Sequence, residues 1–409
     1  MDRIWEKKWE GYLRKDGKIG IRNKILVVYT VECAAHVAKE IGAKFREGPE
    51  DVDVIGFPGC TDNEYAVRIL LALIRHPNVG AVLTVGLGCE YVQGRLLAEK
   101  AEEAGKPARS LLIQQCGGTR PTVEAGIAAV RSLKAELDRI TVKTEMGFSD
   151  LIIGAECGGS DFTSGLAGNV VVGGFFDRLT DFAGTAIFEE IVEAIGLRDV
   201  LIARGNTDAA KNELANAYDK MMEYCRSVRQ YSVSPGNFAG GLTTIEEKSM
   251  GAFAKSGSKP IEGVLKVGQS PPQAGLWLLD TTPDPHFMQF GYTNPNDNEG
   301  LTALAASGAH LLFMVTGRGT VVGSAVAPVI KITGNEQTFR NMIEDIDFNA
   351  GTMLTGEKSK AELVAELAEL VFGVCGGNPT KSEKLGHKEY FIPYKYQDKY
   401  QAVAARCEG

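Results

Sequence analysis

Four short apolar, β-branched runs recur early in the chain, beginning at Ile25 (ILVVYT), Val52 (VDVIGF), Ala81 (AVLTVG) and Leu111 (LLIQ), roughly 28 residues apart. Between and after them, residues 35–45, 64–75, 92–104 and 121–137 carry apolar side chains at three- and four-residue spacing, the period of a helix, and Pro121 suits a first helical position. Strand and helix in strict alternation close through right-handed crossovers. The series therefore predicts a mostly parallel sheet covered on both faces, with ligands gathering beyond the carboxyl ends of the strands. The spacing is that of one βα unit and not of a solenoid repeat. A charged stretch, 131–145, precedes another strand-like run at Leu151 (LIIGAEC), which places a domain boundary near residue 145. The second half offers strands at 275–281, 310–316 and 329–333, and helices at 208–228, 243–255, 336–346 and 359–374. The expected fold is α/β, with two Rossmann-like domains of mostly parallel sheet, 1–145 and 146–409, the second ending in a polar, aromatic tail.

Charge narrows the partners. The 409 residues hold 44 Lys and Arg against 52 Asp and Glu, a formal charge of −8, without long basic clusters. That balance argues against nucleic acid or an anionic membrane surface and points to a small ligand. Residues 1–20 contain no apolar run of the kind a secretory leader needs, and no segment spans a membrane, so the expected location is the cytoplasm. Eight cysteines, at 33, 60, 89, 116, 157, 225, 375 and 407, show no disulfide framework.

Position makes those cysteines informative. The residues that follow the five N-terminal strand runs are Glu32-Cys33, Gly59-Cys60, Gly88-Cys89-Glu90, Cys116-Gly117-Gly118-Thr119 and Cys157-Gly158-Gly159-Ser160-Asp161. Any one such cysteine is equally well a small buried hydrophobe. Five at strand ends, four beside glycine, make a thiolate cluster a sharper reading, and soft thiolates select iron, zinc or an iron–sulfur centre. A dehydratase-type cluster needs three thiolates and one open iron position, for which Cys60, Cys89 and Cys157 are the first choice.

Three polar stretches add binding groups. Gly159, Ser160 and Asp161, followed by Asn169, supply hydroxyl, amide and carboxylate groups suited to a polyhydroxy acid; the alternative is a capped turn. The loop Ser234-Pro235-Gly236-Asn237 feeds a helix carrying Lys248, a base or a carboxylate clamp, or else a solvated side chain. Thr316-Gly317-Arg318-Gly319-Thr320 follows a strand, and Arg318 there suits a bidentate carboxylate contact. The histidines, at 36, 76, 286, 310 and 387, form no metal-binding spacing, and the serine-hydrolase elbow, the P-loop and the dinucleotide turn are absent.

Assembled in order, Gly20-Ile21-Arg22-Asn23, Gly59-Cys60, His76-Pro77-Asn78, Gly86-Leu87-Gly88-Cys89-Glu90, Glu156-Cys157-Gly158-Gly159-Ser160-Asp161, Ser234-Pro235-Gly236-Asn237, Glu247-Lys248-Ser249, Gly317-Arg318-Gly319-Thr320 and Pro328-Val329-Ile330-Lys331-Ile332 resemble the altronate/galactarate dehydratase family over nearly the whole chain. Relatives in that family include the large subunit of sulfolactate sulfo-lyase. The resemblance implies a lyase that removes water, or sulfite in one branch, from a 2-hydroxy acid, with iron as cofactor, as mononuclear Fe2+ or an iron–sulfur cluster, or with Mn2+. The mechanism expected of these residues is a metal-assisted β-elimination in which Lys248 or Asp161 takes the C2 proton and Arg318 clamps a carboxylate. The turns at Gly118-Thr119 and Gly159-Ser160 donate N–H groups, and Asn169, Asn237 and Thr320 complete the substrate contacts. Two departures qualify the match. Sugar-acid members carry a small SAF domain ahead of this region, so either a separate SAF-type small subunit supplies it, the expected partner beside a homo-oligomer of this chain, or the chain works without it. Gly56 stands where those members carry His before the Gly-Cys pair, which is closer to the sulfolactate branch. The rivals are a non-catalytic sugar-acid binding protein and a structural thiol–zinc scaffold.

Overall fold

A computed structural model describes residues 2–46, 51–61, 63–229, 231–284 and 296–397. Cys407 and His286, both counted above, lie outside them. The chain divides into two compact units: residues 10–145 with the segment from Tyr390, and residues 1–9 with 146–389. The chain thus passes from one unit to the other after residues 9, 145 and 389, so that its two ends are exchanged between the units.

The first unit begins within β1 (Lys8–Leu13), which turns antiparallel onto β2 (Ile19–Gly20). It continues as β3 (Lys24–Tyr29), α1 (Glu32–Ala43), β4 (Val52–Gly56), α2 (Glu64–Arg75), β5 (Val79–Gly86), α3 (Gly94–Glu103), β6 (Ala108–Leu112), the short α4 (Ile113–Cys116), α5 (Thr119–Ile140) and β7 (Val142–Gly147). Strands pair in the order β4-β3-β5-β6, all parallel. Ile25, Val27 and Leu83 from the sheet pack with Ala38 and Ile41 of α1 and Val130 and Leu133 of α5. Each such fully buried aliphatic side chain contributes about 1.5–3 kcal/mol. Gly126 lets α5 close onto α1, because a methyl group there would meet Ile41 Cδ1 at 2.2 Å. The run at Leu111 ends as strand at Leu112 and turns helical, so Cys116 sits one helical turn past the strand end.

The second unit contains β8 (Ile152–Cys157), a π-helical turn (Ser164–Gly168), α6 (Asn169–Asp181), β9 (Thr185–Phe188), α7 (Arg198–Ala203), α8 (Asp208–Val228), α9 (Pro235–Ala239), α10 (Ile245–Phe253) and a 3-10 turn (Ala254–Ser256). After these come β10 (Ile261–Lys266), β11 (Gly275–Asp280), α11 (Asp297–Ala306), β12 (Leu311–Thr316), β13 (Val329–Thr333), α12 (Glu336–Asn341), β14 (Phe348–Asn349), α13 (Lys360–Cys375) and α14 (Lys381–Leu385). Over the described residues these strands form one parallel sheet, β10-β11-β9-β8-β12-β13-β14. Phe175 and Phe176 of α6 pack on Phe313 of β12, and Trp5 lies against Phe148 and Phe175. The helix expected over 336–346 stops at Asn341, and that expected over 243–255 gives way to the 3-10 turn at Ala254.

No helix among the described residues is long and apolar enough to cross a membrane.

Candidate active site

In the second unit the centre strand β8 ends at Cys157, and β9 beside it ends at Phe188, just before Glu189, Glu190 and Glu193. Glu190 has a left-handed backbone (φ 69°, ψ 48°), which turns the chain sharply back beyond the strand end. Two lysines reach the same place from α10 and the turn after it. They are held close because α10 meets the π-helical turn glycine to glycine: a methyl group on Gly165 would lie 2.6 Å from Gly251 Cα. One turn further on, a methyl on Gly173 of α6 would meet Ala254 O at 2.2 Å. Thr244, with Glu247, forms a capping box that fixes the start of α10.

The result is a buried ion network. Lys248 Nζ lies 2.5 Å from Glu193 Oε1 and donates to Ser232 O (2.5 Å) and Ser232 Oγ (3.1 Å). Lys255 Nζ pairs with Glu190 Oε2 and donates to Cys157 Sγ at 3.2 Å. The Cys157 thiol faces Glu193 Oε2 at 3.3 Å, and its backbone N–H donates to Glu190 Oε2 at 2.7 Å. Asn169, at the start of α6, donates through Nδ2 to Gly251 O (2.9 Å) and lies 3.8 Å from Cys157 Sγ; its Oδ1 is buried and makes no hydrogen bond.

Charge is unevenly shared. Burial, then the charge of Glu193, pushes Glu190 up to about 8. Burial also works to raise Glu193, but the ammonium groups of Lys248 and Lys255 outweigh it and hold that carboxyl below its usual range. Burial, reinforced by Glu190 and Glu193, pushes the Cys157 thiol well up. Burial opposes the ammonium of Lys255, yet the anionic groups around it win and keep it charged. Further acids crowd the same strand ends: Glu156, Glu189 and Asp297 are all raised, first by burial.

Cys157, Glu190 and Glu193 are, among the described residues, the one group of three or more His, Cys, Asp or Glu side chains whose ligand atoms converge, lying within 4.8 Å of one another. One sulfur and two carboxylate oxygens suit a borderline divalent ion such as Fe2+ or Mn2+. The unpartnered Asn169 Oδ1 is a further oxygen donor at the same spot.

A second layer contains the other polar residues singled out in the sequence. Asp161 accepts from Thr163 N (2.8 Å), Thr163 Oγ1 (2.6 Å), Ser164 N (3.2 Å) and Asn335 Nδ2 (3.0 Å), so its carboxylate closes a turn. Asn237 Nδ2 donates to Ser160 O at 2.9 Å, while Ser160 Oγ is buried without a partner. Gly159 O receives the N–H groups of Gly317 and Arg318, and Arg318 Nη1 donates to Gly236 O at 2.7 Å from an exposed position. Thr320 Oγ1 accepts from Val322 N within its own loop. Ser160, Asp161, Asn237 and Arg318 thus belong to one group of loops around the strand ends.

Cys60, Cys89, Gly118 and Thr119 belong to the other unit. There Cys60 and Cys89 are exposed, and Tyr91 N donates to Cys60 O at 3.1 Å, joining the two loops. Glu90 accepts from the N–H groups of Leu87, Gly88 and Cys89 and from the Thr30 hydroxyl. Gly118 (φ 107°) precedes α5, which Thr119 begins.

Glu190, Glu193 and Lys255 were not singled out from the sequence, although two signals pointed to them. The acidic run Glu189-Glu190-Ile191-Val192-Glu193 directly follows an apolar strand, the same place where the cysteines stood out. Lys255 follows Lys248 by seven residues, two helical turns, and so shares its face.

Comparison with known proteins gives a consistent result. Residues 11–138 match the domain described as D-galactarate dehydratase/altronate hydrolase, second domain, and residues 148–398 match D-galactarate/altronate dehydratase, C-terminal. The chain is 31% identical to altronate dehydratase of Bacillus subtilis over 94% of its own length and 77% of the relative's. It is 32% identical to altronate dehydratase of Escherichia coli, covering 93% and 76%. To the subunit beta of (2R)-sulfolactate sulfo-lyase from Chromohalobacter salexigens it is 30% identical, covering 95% and 97%.

Proposed function

We propose, from the premise that this chain belongs to the D-galactarate/altronate dehydratase family, that the Cys157 cluster is the active site of a sugar-acid lyase. Its reaction is loss of water from a 2-hydroxy acid of the altronate or galactarate type, leaving a 2-oxo acid. The observation that carries the reading is the buried pairing of Lys248 with Glu193 and Lys255 with Glu190 around Cys157, beyond the ends of β8 and β9.

Elimination breaks the C2–H and C3–O bonds, so it needs a group that takes a weakly acidic proton and returns one to the departing oxygen. Of the two base candidates, Asp161 is occupied by four donors, and Lys248 stands inside the network. Lys248, whose ammonium Glu193 favours, must first give its proton to solvent; the neutral amine then takes the C2 proton and delivers it to the C3 oxygen as that bond breaks. The resulting enol relaxes to the oxo acid. The ammonium of Lys255 opposes the negative charge that grows on the substrate carboxylate as the proton leaves. Arg318, exposed at the rim and fixed to Gly236 O, orients the far end of the acid.

The reading includes a divalent cofactor, iron first and manganese next, held by side chains at the cluster. When bound there it supplies Lewis acidity toward the hydroxy-acid oxygens and, as a dication beside Lys248, favours the neutral form of that amine. A relative named as a subunit beta supports extending the proposal to a separate small subunit of SAF type.

A second reading, sulfite elimination from sulfolactate, is favoured by Gly56 and by the sulfo-lyase relative. One assay separates the two. Anaerobic, iron-supplied protein, with and without a candidate small subunit, is given a panel of sugar acids plus sulfolactate while 2-oxo acid and sulfite are followed. Oxo acid without sulfite supports the dehydratase, and sulfite release supports the second reading. Silence on all substrates, with no exchange of the C2 proton against deuterium, would replace both with a binding protein.

A further inference from the structure

Four large apolar side chains stand exposed on the loops and helices around the strand ends of the second unit: Phe162 (52% exposed), Leu166 (58%), Phe238 (53%) and Met250 (67%). Three of them adjoin a buried polar residue of the site. Phe162 follows Asp161, Phe238 follows Asn237, and Met250 stands two residues past Lys248. The same short stretches thus bury a polar group and expose an apolar one. The four belong to one face. Phe162 and Leu166 are four residues apart where the chain winds into the π-helical turn, and so share a side. Phe162 N donates to Gly240 O at 3.1 Å, and a methyl group on Gly241 would lie 3.4 Å from Phe162 Cδ1, which brings the end of α9 and Phe238 alongside. Leu166 and Met250 are brought together by the contact of Gly165 with Gly251, the residue after Met250.

A hydroxy acid is polar throughout and gives such a face nothing to bind, whereas a contiguous apolar surface is what another protein covers. Size identifies the kind of partner. At about 200 Å² for a large side chain, the exposed parts sum to roughly 450 Å². A standard interface takes about 800 Å² from each partner, of which about 57% is apolar, again roughly 450 Å². Phenylalanine and methionine are also among the types enriched in interfaces. We infer that two copies of the chain pair through this face about a two-fold axis, so that Phe162, Leu166, Phe238 and Met250 of one copy cover the same four of the other. A second copy supplies an apolar face of equal size, and two-fold pairing of identical faces is the commonest closed arrangement. Each copy then packs against the loops that carry Asp161, Asn237 and Lys248 in the other. The inference goes beyond the lyase reading and does not depend on it: a dimer that turns over no substrate leaves the interface standing, and a single-chain lyase leaves the reaction standing.

The test is sedimentation velocity of the whole chain over a dilution series from about 10 µM, with mass confirmed by light scattering. At the top of the series wild type should run at twice the chain's 44.0 kDa. Phe238→Asp and Met250→Glu each place an unpaired carboxylate in the face, twice per dimer. Each should raise the concentration at which half the chains are paired by about a hundredfold or more. Leu385→Asp is the control. It changes an exposed apolar residue of α14, which Ser382 fastens to Val329 O at the amino end of β13, and it should pair as wild type does. Wild type at single-chain mass throughout overturns the proposal and leaves the face to a different partner. Unchanged pairing in Phe238→Asp and Met250→Glu, or an equal loss in Leu385→Asp, overturns the location. Should either variant of the face lack the wild-type circular dichroism spectrum, Leu166→Asn, on a separate element, replaces it; it should weaken pairing about tenfold, and unchanged pairing overturns the location.

Discussion

Glu190 occupies a backbone region that residues with side chains rarely adopt, and it does so where its carboxylate meets a buried lysine and the N–H of Cys157. Such conformations cost about 1–3 kcal/mol and persist where the surroundings fix them. The pairing is therefore expected to exceed that cost. Glu190→Gln keeps the backbone but cannot ionise; wild type alone should lose stability as pH rises from the unfolded value of about 4.3 towards the folded value of about 8, so urea denaturation near pH 4 isolates the lost hydrogen bonding to Lys255 and Cys157, a loss of about 1–3 kcal/mol. Glu190→Gly, which relieves the backbone as well, should lose less. An equal or larger loss in the glycine variant would mean the turn carries no strain. At this scale the strand end at Cys157 and the turn through Ser160 could be read from residue type, and Lys248 only as part of a helix. Glu190 and Lys255 were not legible, because an acidic or basic residue reads by default as solvated. Only packing shows that these two are buried against each other.

Between single residues and the whole chain, the site depends on helices that cross without side chains between them. A methyl group on Gly165 would meet Gly251 Cα, so Gly165→Ala should push α10 away from the π-helical turn. The expected cost is about 1–3 kcal/mol in thermal or urea unfolding, with a larger fractional loss of turnover than of substrate affinity as Lys248 and Lys255 move. Unchanged kinetics would show that the crossing does not set the lysines. The turn after β5 makes a pH-dependent counterpart. Burial works to raise Glu90, but the Thr30 hydroxyl and the N–H groups at Gly88 and Cys89 outweigh it and hold its carboxyl below the usual range. Its stabilisation is thus present above the unfolded value of about 4.3 and is lost as pH falls through the lower folded value. Glu90→Gln should cost about 1.5 kcal/mol at pH 7, and the gap to wild type should narrow in acid. A gap independent of pH would contradict the assignment. Strands β3, β4, β5 and β8 were legible because each is largely buried on both faces and reads as a nearly continuous apolar run, with charge only at Lys24, Asp53 and Glu156. Helix α6 was not, since Asn-Val-Val-Val-Gly-Gly-Phe-Phe mixes strand-favouring residues with glycines whose purpose, close approach to Ala254 and Gly257, is tertiary.

On the scale of the molecule, the crossing near residue 145 was visible as a change from a charged helix to a new apolar run, while the exchange of chain ends was not. It depends on contacts far apart in sequence. Tyr390 donates to Tyr29 Oη at 2.8 Å, Asn63 Nδ2 donates to Lys395 O at 2.9 Å, and Arg68 Nη2 donates to Gln397 Oε1 at 2.9 Å. Tyr390→Phe should therefore destabilise the unit of residues 10–145 by about 1 kcal/mol, read by hydrogen exchange at β3. Exchange accelerated only in residues 146–389 would assign the tail elsewhere.

That exchange of ends has a consequence during synthesis. Residues 10–145 leave the ribosome early, with their four parallel strands complete, yet the segment that bonds to Tyr29, Asn63 and Arg68 is translated only after residue 389. At about 5–20 residues per second the wait lasts roughly 12–50 seconds, during which those partners remain unsealed on the nascent chain. Translation speed through the second unit therefore sets how long these groups, at the end of β3 and along the start of α2, stay open to chaperones before the tail arrives.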